Sequence, residues 1–184
     1  MARPIPDEVV LGLLKAKPTH GYDLLEVFNS PAQLGHSWKM STSQLYAVLK
    51  RLERNGSVCG KEVAVLNAPS RIEYAITDHG SQQLDNWLLE PKPSASVHRI
   101  RIIFLSRIFI ANLLKQPTDP IVNAQISACQ RQRDRFFDQY ENCRSDMEAL
   151  TLDFIISQLD AAINWLKTHQ LMFSHKPKIT SVQK

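Results

Sequence analysis

Residues 38–76 read WKMSTSQLYAVLKRLERNGSVCGKEVAVLNAPSRIEYAI, a short basic helical run closed by Asn55-Gly56 and followed at once by two strand-like runs. Leu45, Val48, Leu49 and Leu52 recur at i, i+3, i+4 and i+7, the spacing of one apolar helix face. Ser43, Tyr46, Ala47, Lys50, Arg51 and Arg54 fall on the other faces and offer hydroxyls and cations, with Glu53 as the acid among them. Such a surface suits a polyanion. Ser41 or Thr42 is placed to cap the first turn, and Gly56 supplies the left-handed residue on which helices commonly end. The helix start itself carries free N–H groups and a partial positive charge, which favour a phosphate.

The neighbouring segments give this helix a setting. Residues 58–65 (VCGKEVAV) are rich in β-branched side chains, and residues 71–76 (RIEYAI) alternate, with Ile72, Tyr74 and Ile76 on one side. The LNAPS run between them holds turn formers, so a hairpin is predicted. Thr77 opens a further helix with Leu84, Trp87 and Leu88 on its inner face. Upstream, residues 7–17 form a helix facing Val9, Val10, Leu13 and Leu14 inward, and residues 20–29 form a second that buries Leu24, Leu25 and Phe28. Three helices, two strands and a helix, in that order, make a winged helix-turn-helix. In that fold the third helix enters the major groove of DNA and the hairpin reaches the flanking backbone or minor groove.

The runs LGLLKAKPTHGYDLLEVF, SQLYAVLKRLERNG, RIEYAITDHG and WLLEP, in this order and spacing, resemble the PadR family of bacterial transcription regulators with a Vir-type helical C-terminal part. The resemblance implies a homodimer that represses by binding a double-stranded operator and lets go when a small-molecule effector or another signal arrives. It maps DNA contacts onto Tyr22, onto Ser41, Thr42, Ser43, Gln44 and Tyr46 with Lys50, and onto the wing, where Lys61 and Arg71 are the cations. Arg54 joins them from the basic face of the third helix. Three bland readings stand beside these: a solvated face for Lys50, Arg51 and Arg54, core packing for Tyr46, and a structural hydrogen bond for His20.

Bulk charge is a weaker guide than local charge. The 184 residues carry a net +4 and a pI near 9.0, yet residues 1–80 hold nine Lys and Arg against eight Asp and Glu. Between Trp38 and Lys61, five cations face the single acid Glu53. The N-terminus lacks the apolar core of a signal peptide, and residues 97–114 contain Arg99, Arg101 and Arg107, which a membrane span rarely tolerates. A cytoplasmic protein with no membrane partner is therefore expected. Cys59, Cys129 and Cys143 have no CxxC spacing, so neither a disulfide framework nor a metal site is indicated, and no cofactor is expected. Cys59 is read as a buried thiol or, alternatively, an oxidation sensor. No Gly-rich phosphate loop, GxSxG, HExxH or acid pair points to an enzyme.

The PKPSAS run at 91–96 reads as a linker between a winged helix-turn-helix at 1–90 and a helical dimerisation domain at 96–174, with 175–184 as a disordered tail. The fold class is mostly α, of the α+β kind. Helices are predicted over 97–115, over 119–148 with the charged run RQRDRFF, and over 150–173. In the last of these, Leu152, Ile156, Leu159, Ile163, Leu166 and Phe173 follow steps of four and three broken at Gln170, the pattern of a dimer seam or of an intramolecular bundle. Trp87 and Trp165 read as core residues or as walls for a flat effector. Two other functions remain open from the residues: a MarR-like regulator, and a winged-helix adaptor that docks on protein.

Overall fold

The computed structural model describes residues 6–65 and 68–173, so the tail expected at 175–184 lies outside the described residues, as do Leu66 and Asn67 of the hairpin tip. The first half runs α1 (Asp7–Ala16), β1 (Thr19–His20), α2 (Gly21–Asn29), α3 (Thr42–Arg54), β2 (Val58–Val65), β3 (Ala68–Ile76) and α4 (Asp78–Leu88). The second half runs α5 (Val97–Arg99), a π-helical turn (Ile100–Phe104), α6 (Leu105–Leu113), α7 (Asp119–Glu141), α8 (Asp146–Thr168) and α9 (Gln170–Phe173). This is the mostly α fold with a small sheet that the sequence predicts.

Local chemistry sets the ends of α3. Ser41 and Gln44 form a capping box: the Ser41 hydroxyl accepts from the Gln44 N–H at 3.3 Å, and the Ser41 N–H donates to Gln44 Oε1 at 2.9 Å. Gly56, at φ 70°, ends the helix, and Ser57 N–H donates back to Leu52 O at 2.9 Å. Leu45 and Leu49 on the inner face are wholly buried.

Four expectations about elements change. Thr19 and His20 form a short strand rather than a helix start, pairing antiparallel with Tyr74 and Glu73, which gives a sheet of order β1-β3-β2. Ile72, expected inside with Tyr74, is half exposed, because nothing reaches over that end of the hairpin. The helix predicted over 97–115 is interrupted by the π turn and stops at Leu113. The long helix predicted over 119–148 is two helices. Asn142 Nδ2 donates to Asp138 O at 2.7 Å at the end of α7, and the Ser145 hydroxyl accepts from Glu148 N–H at 3.2 Å to start α8.

A single hydrophobic cluster runs across the linker. Leu11 and Leu14 of α1, Leu49 of α3 and Leu84 of α4 belong to it together with Phe104, Ile110, Val122 and Leu166 of the second half. At the join, a Cβ on Gly12 would lie 2.4 Å from Ile110 Cγ2, so α1 and α6 pack closely there. Trp38 Nε1 donates to Ser106 Oγ at 2.7 Å, and its ring meets Phe28 edge-on at 6.2 Å.

The residues expected to form the dimer seam mostly serve this cluster instead. Leu152, Leu159, Ile163, Leu166 and Phe173 are buried within the chain, and Ile156 is half-buried. The physical reason is that α8 folds back on α7 across the four-residue turn 142–145 and must cover it, while Phe173 packs edge-on against Phe104 and Trp165, each at 5.4 Å. Of the two readings of this stripe, the intramolecular bundle holds.

Candidate nucleic-acid interface

Helix α3 presents its outer face without cover. Ser41, Thr42, Ser43, Gln44, Tyr46, Lys50 and Arg54 are all exposed, while Leu45, Val48, Leu49 and Leu52 are buried behind them. Thr42, Tyr46, Lys50 and Arg54 stand four apart and so lie along one ridge. Ser41 and Gln44 are occupied by the capping box, which leaves them the task of fixing where the helix begins.

Arg51 does not join this face. Its guanidinium grips the Asp7 carboxylate in a bidentate ion pair, Nε to Oδ2 at 2.9 Å and Nη2 to Oδ1, which ties α3 to the start of α1 and holds the Arg51 pKa above its ordinary value. The sequence places Arg51 on a free cationic surface because its partner lies 44 residues away. Glu53 is also engaged: its Oε1 accepts from the Gly60 N–H at 3.2 Å, pinning the wing to the end of α3. With Glu53 turned toward the wing, the ridge itself carries only cations and neutral groups.

Beside the ridge lies a concavity of about 500 Å³ lined by His20, Tyr22, Tyr46, Arg71 and Tyr74 among others. It brings together three of the expected contact residues, Tyr22, Tyr46 and Arg71, from α2, α3 and β3. Tyr22 is 74% exposed and Tyr46 47% exposed, so both phenols face solvent rather than the core. Tyr46 crosses the start of α2 so closely that a Cβ on Gly21 would be 3.0 Å from its Cζ and Oη. Gly21 escaped sequence reasoning; its signal is a glycine at the first position of a helix that begins without a side-chain cap. Tyr74 is buried below them, and burial, with Glu53 and Tyr46 nearby, pushes its phenol pKa up and keeps it neutral.

His20 makes the structural hydrogen bond expected of it, Nδ1 to Ile72 O at 3.0 Å. Lys61 stands apart from the tyrosines, directly across the ladder from Glu73, on the sheet face opposite Tyr74. Cys59 is exposed rather than buried, with Sγ 3.6 Å from Ala75 O, since alternation along β2 turns it away from buried Val58. Among the described residues, no three His, Cys, Asp or Glu side chains gather as metal ligands would.

Residues 10–86 match the transcriptional regulator PadR-like family. The chain is 26% identical over 142 residues to the negative transcriptional regulator PadR of Bacillus subtilis (strain 168), covering 77% of this chain and 76% of that protein. It is 29% identical over 87 residues to the probable transcriptional regulator Rv1176c of Mycobacterium tuberculosis (strain ATCC 25618 / H37Rv), covering 47% of this chain and 44% of that one. Among solved structures, B. subtilis PadR in complex with operator DNA aligns over 94% of this chain and 99% of that chain, at 21% identity and a TM-score of 0.48. The same protein in complex with p-coumaric acid aligns over 95% and 99%, at 20% identity and a TM-score of 0.42.

Proposed function

Because the chain belongs to the PadR-like family of transcriptional regulators, matched over residues 10–86, and not to a family of enzymes, we propose that it binds operator DNA as a homodimer, represses, and lets go on a small-molecule signal. One observation carries this: the ridge of Thr42, Tyr46, Lys50 and Arg54 is free of the chain's own atoms while the opposite side of the same helix is fully buried. Thr42, Ser43 and Tyr46 read the major groove from the first turns of α3. Lys50, Arg54, Tyr22 and Arg71 hold phosphates, and Lys61 meets the backbone beyond the wing. Ser41 and Gln44 set the helix start against which these contacts are registered. The B. subtilis relative supports the reading, being named a negative regulator and described in complex with operator DNA.

Dimerisation follows from what DNA recognition needs and from a surface that α8 leaves open. One winged helix makes few base contacts, and two of them on a palindrome about 34 Å apart multiply the specificity. Met147, Leu150 and Phe154 are 72%, 66% and 62% exposed, and Gln158, Ala161 and Trp165 continue the row on the same face. Beside that row, Val97, Ile100 and Leu105 line an apolar hollow of about 350 Å³. A second copy seated here buries a stripe that a monomer would leave in water. Such a regulator works on the chromosome, in the cytoplasm, and among the described residues no helix is long and apolar enough to cross a membrane.

The test begins with selection of fragments bound by the protein from its source genome. Titration of the best fragment at several salt concentrations should then give a steep slope, and Lys50→Ala should flatten it by about 0.9, the worth of one phosphate. A variant that tracked the native protein at every salt concentration would remove this face from DNA binding. A protein-docking adaptor would select no fragment at all.

A further inference from the structure

We propose that the cavity at Arg107, between the winged helix and the helical half, is where the releasing signal binds, and that it takes a small organic anion with a flat apolar body, an aromatic monocarboxylate. This rests on the regulatory reading above and supplies its ligand class and site.

The cavity measures about 460 Å³, within the range of small-molecule sites, and α1, α4, the linker, the π turn, α6 and α7 all contribute to its wall. Its central feature is a buried charge. Arg107 is 1% exposed, its Nη2 donates to the carbonyls of Leu88 and Glu90, and its Nε has no hydrogen-bond partner. Among the described residues no carboxylate forms a salt bridge with it. A guanidinium held out of water and matched only by carbonyl dipoles gains most from a ligand that brings a negative charge. Lys92 and Arg99 also line the space, against Glu8 and Glu90, so cations outnumber acids there. Burial raises the pKa of Glu8, which weakens that acid's opposition to an anion. Trp87 and Ile103 supply a flat and an apolar wall, and so select a ligand body that a bare inorganic anion lacks.

The cavity is also positioned to transmit. Leu88 and Glu90 belong to the end of α4 and its exit, so Arg107 is a clasp from the helical half onto the winged helix. A carboxylate that engages Arg107 competes with those two carbonyls and prefers the arrangement in which the clasp is loosened. That preference changes the angle of each winged helix on its subunit and, in a dimer, the spacing of the two recognition helices. The other large hollow, lined by Val97, Ile100 and Trp165, is almost wholly apolar and continues the exposed row of α8, which suits a second copy rather than an anion.

The experiment uses the full chain carrying Trp165→Phe, so that Trp87 beside the cavity becomes the main responsive fluorophore. Benzoate, cinnamate and p-coumarate are each titrated against their uncharged methyl esters. At least one acid should change the emission saturably and bind at least tenfold more tightly than its ester, about the worth of one charge-assisted hydrogen bond. Arg107→Gln should weaken that acid by at least tenfold. Ile103→Phe, which fills the cavity and leaves Arg107 intact, should do the same, and it keeps the test alive if the Arg107 variant fails to fold. Operator affinity should fall with the acid in the native protein and stay unchanged in Ile103→Phe. No acid binding at millimolar concentration, esters binding as well as acids, or indifference to Ile103→Phe would each overturn the proposal. Operator binding without any acid is measured in parallel: its loss would sink the regulatory reading, whereas its presence without acid binding would sink this site alone.

Discussion

A methyl group on Gly21 would meet the hydroxyl end of Tyr46 at 3.0 Å, and Tyr46 is half exposed, so the ring rather than the backbone must give way. Gly21→Ala should therefore leave the fold as stable or slightly more so, since alanine favours a helix over glycine by about 1 kcal/mol. Operator affinity should drop by about 1–3 kcal/mol, one well-placed contact. In a Tyr46→Ala background the same change should cost nothing, and a double-mutant cycle with no coupling would show that Tyr46 is not held by this approach. Glu8 gives a prediction of a different kind. Burial raises its pKa above the ordinary 4.5, so the folded state holds its proton more tightly than the unfolded chain does. Its contribution to stability is complete below the unfolded value and is lost as pH rises through the raised one. Glu8→Gln, which keeps an acceptor for Gln83, should raise the melting temperature at pH 7 and leave it unchanged near pH 4. A gain of equal size at both pH values would mean that the charge of Glu8 is not what the fold resists.

At the scale of elements, α8 carries two apolar rows of the same period. Leu152, Ile156, Leu159, Ile163 and Leu166 form the inner one, and Met147, Leu150, Phe154, Gln158, Ala161 and Trp165 form the outer one. Both advance by threes and fours, so spacing alone could identify a seam without saying which partner closes it. The inner row is richer in aliphatic residues and reads more cleanly from sequence, yet it belongs to the chain's own core. The two rows separate under mutation. Ile163→Asp, at a site only 6% exposed, should destabilise the fold by about 3–5 kcal/mol, as an unpaired buried charge does, and show as a collapsed melt. Leu150→Asp, 66% exposed, should keep the helical circular dichroism and halve the mass seen by sedimentation. A folded dimer in that variant would move the proposed interface off α8. Helix α3 was legible in full because its cap, its buried face and its stop all lie within sixteen residues, Ser41 to Gly56. The break before α8 was legible too, in the Ser145-x-x-Glu148 capping signal that the length of the polar pattern obscured. The π turn and the Arg51–Asp7 pair had no such local sign, since both are set by what packs against them.

For the whole molecule, the question is whether the two halves move as one. A Pro and Ser run ends helices, and from sequence that looks like a border between domains. Ending a helix does not divide a core, however, and the apolar cluster passes from α1 to α6 beneath residues 91–96. The closest approach is at Gly12, a glycine within the apolar run LGLL whose position in a helix interior marks a packing requirement. Ile110 is fully buried and, unlike Tyr46, has nowhere to go when a Cβ arrives 2.4 Å from its Cγ2. Two effects oppose each other in Gly12→Ala. Helix propensity favours the variant by about 1 kcal/mol. Overpacking disfavours it by typically 1–3 kcal/mol, roughly, and should win where the neighbour is immobile. The variant should melt lower than the native protein, and Ile110→Ala should be far less harmful when combined with it than alone, because the new methyl refills part of the lost volume. A Gly12→Ala protein that melts higher would mean that propensity prevails, that α1 and α6 can part at little cost, and that each winged helix is free to turn on its own. In that case the spacing of two recognition helices could not be governed from a cavity beside Arg107, because a loose joint transmits no preference from one half to the other.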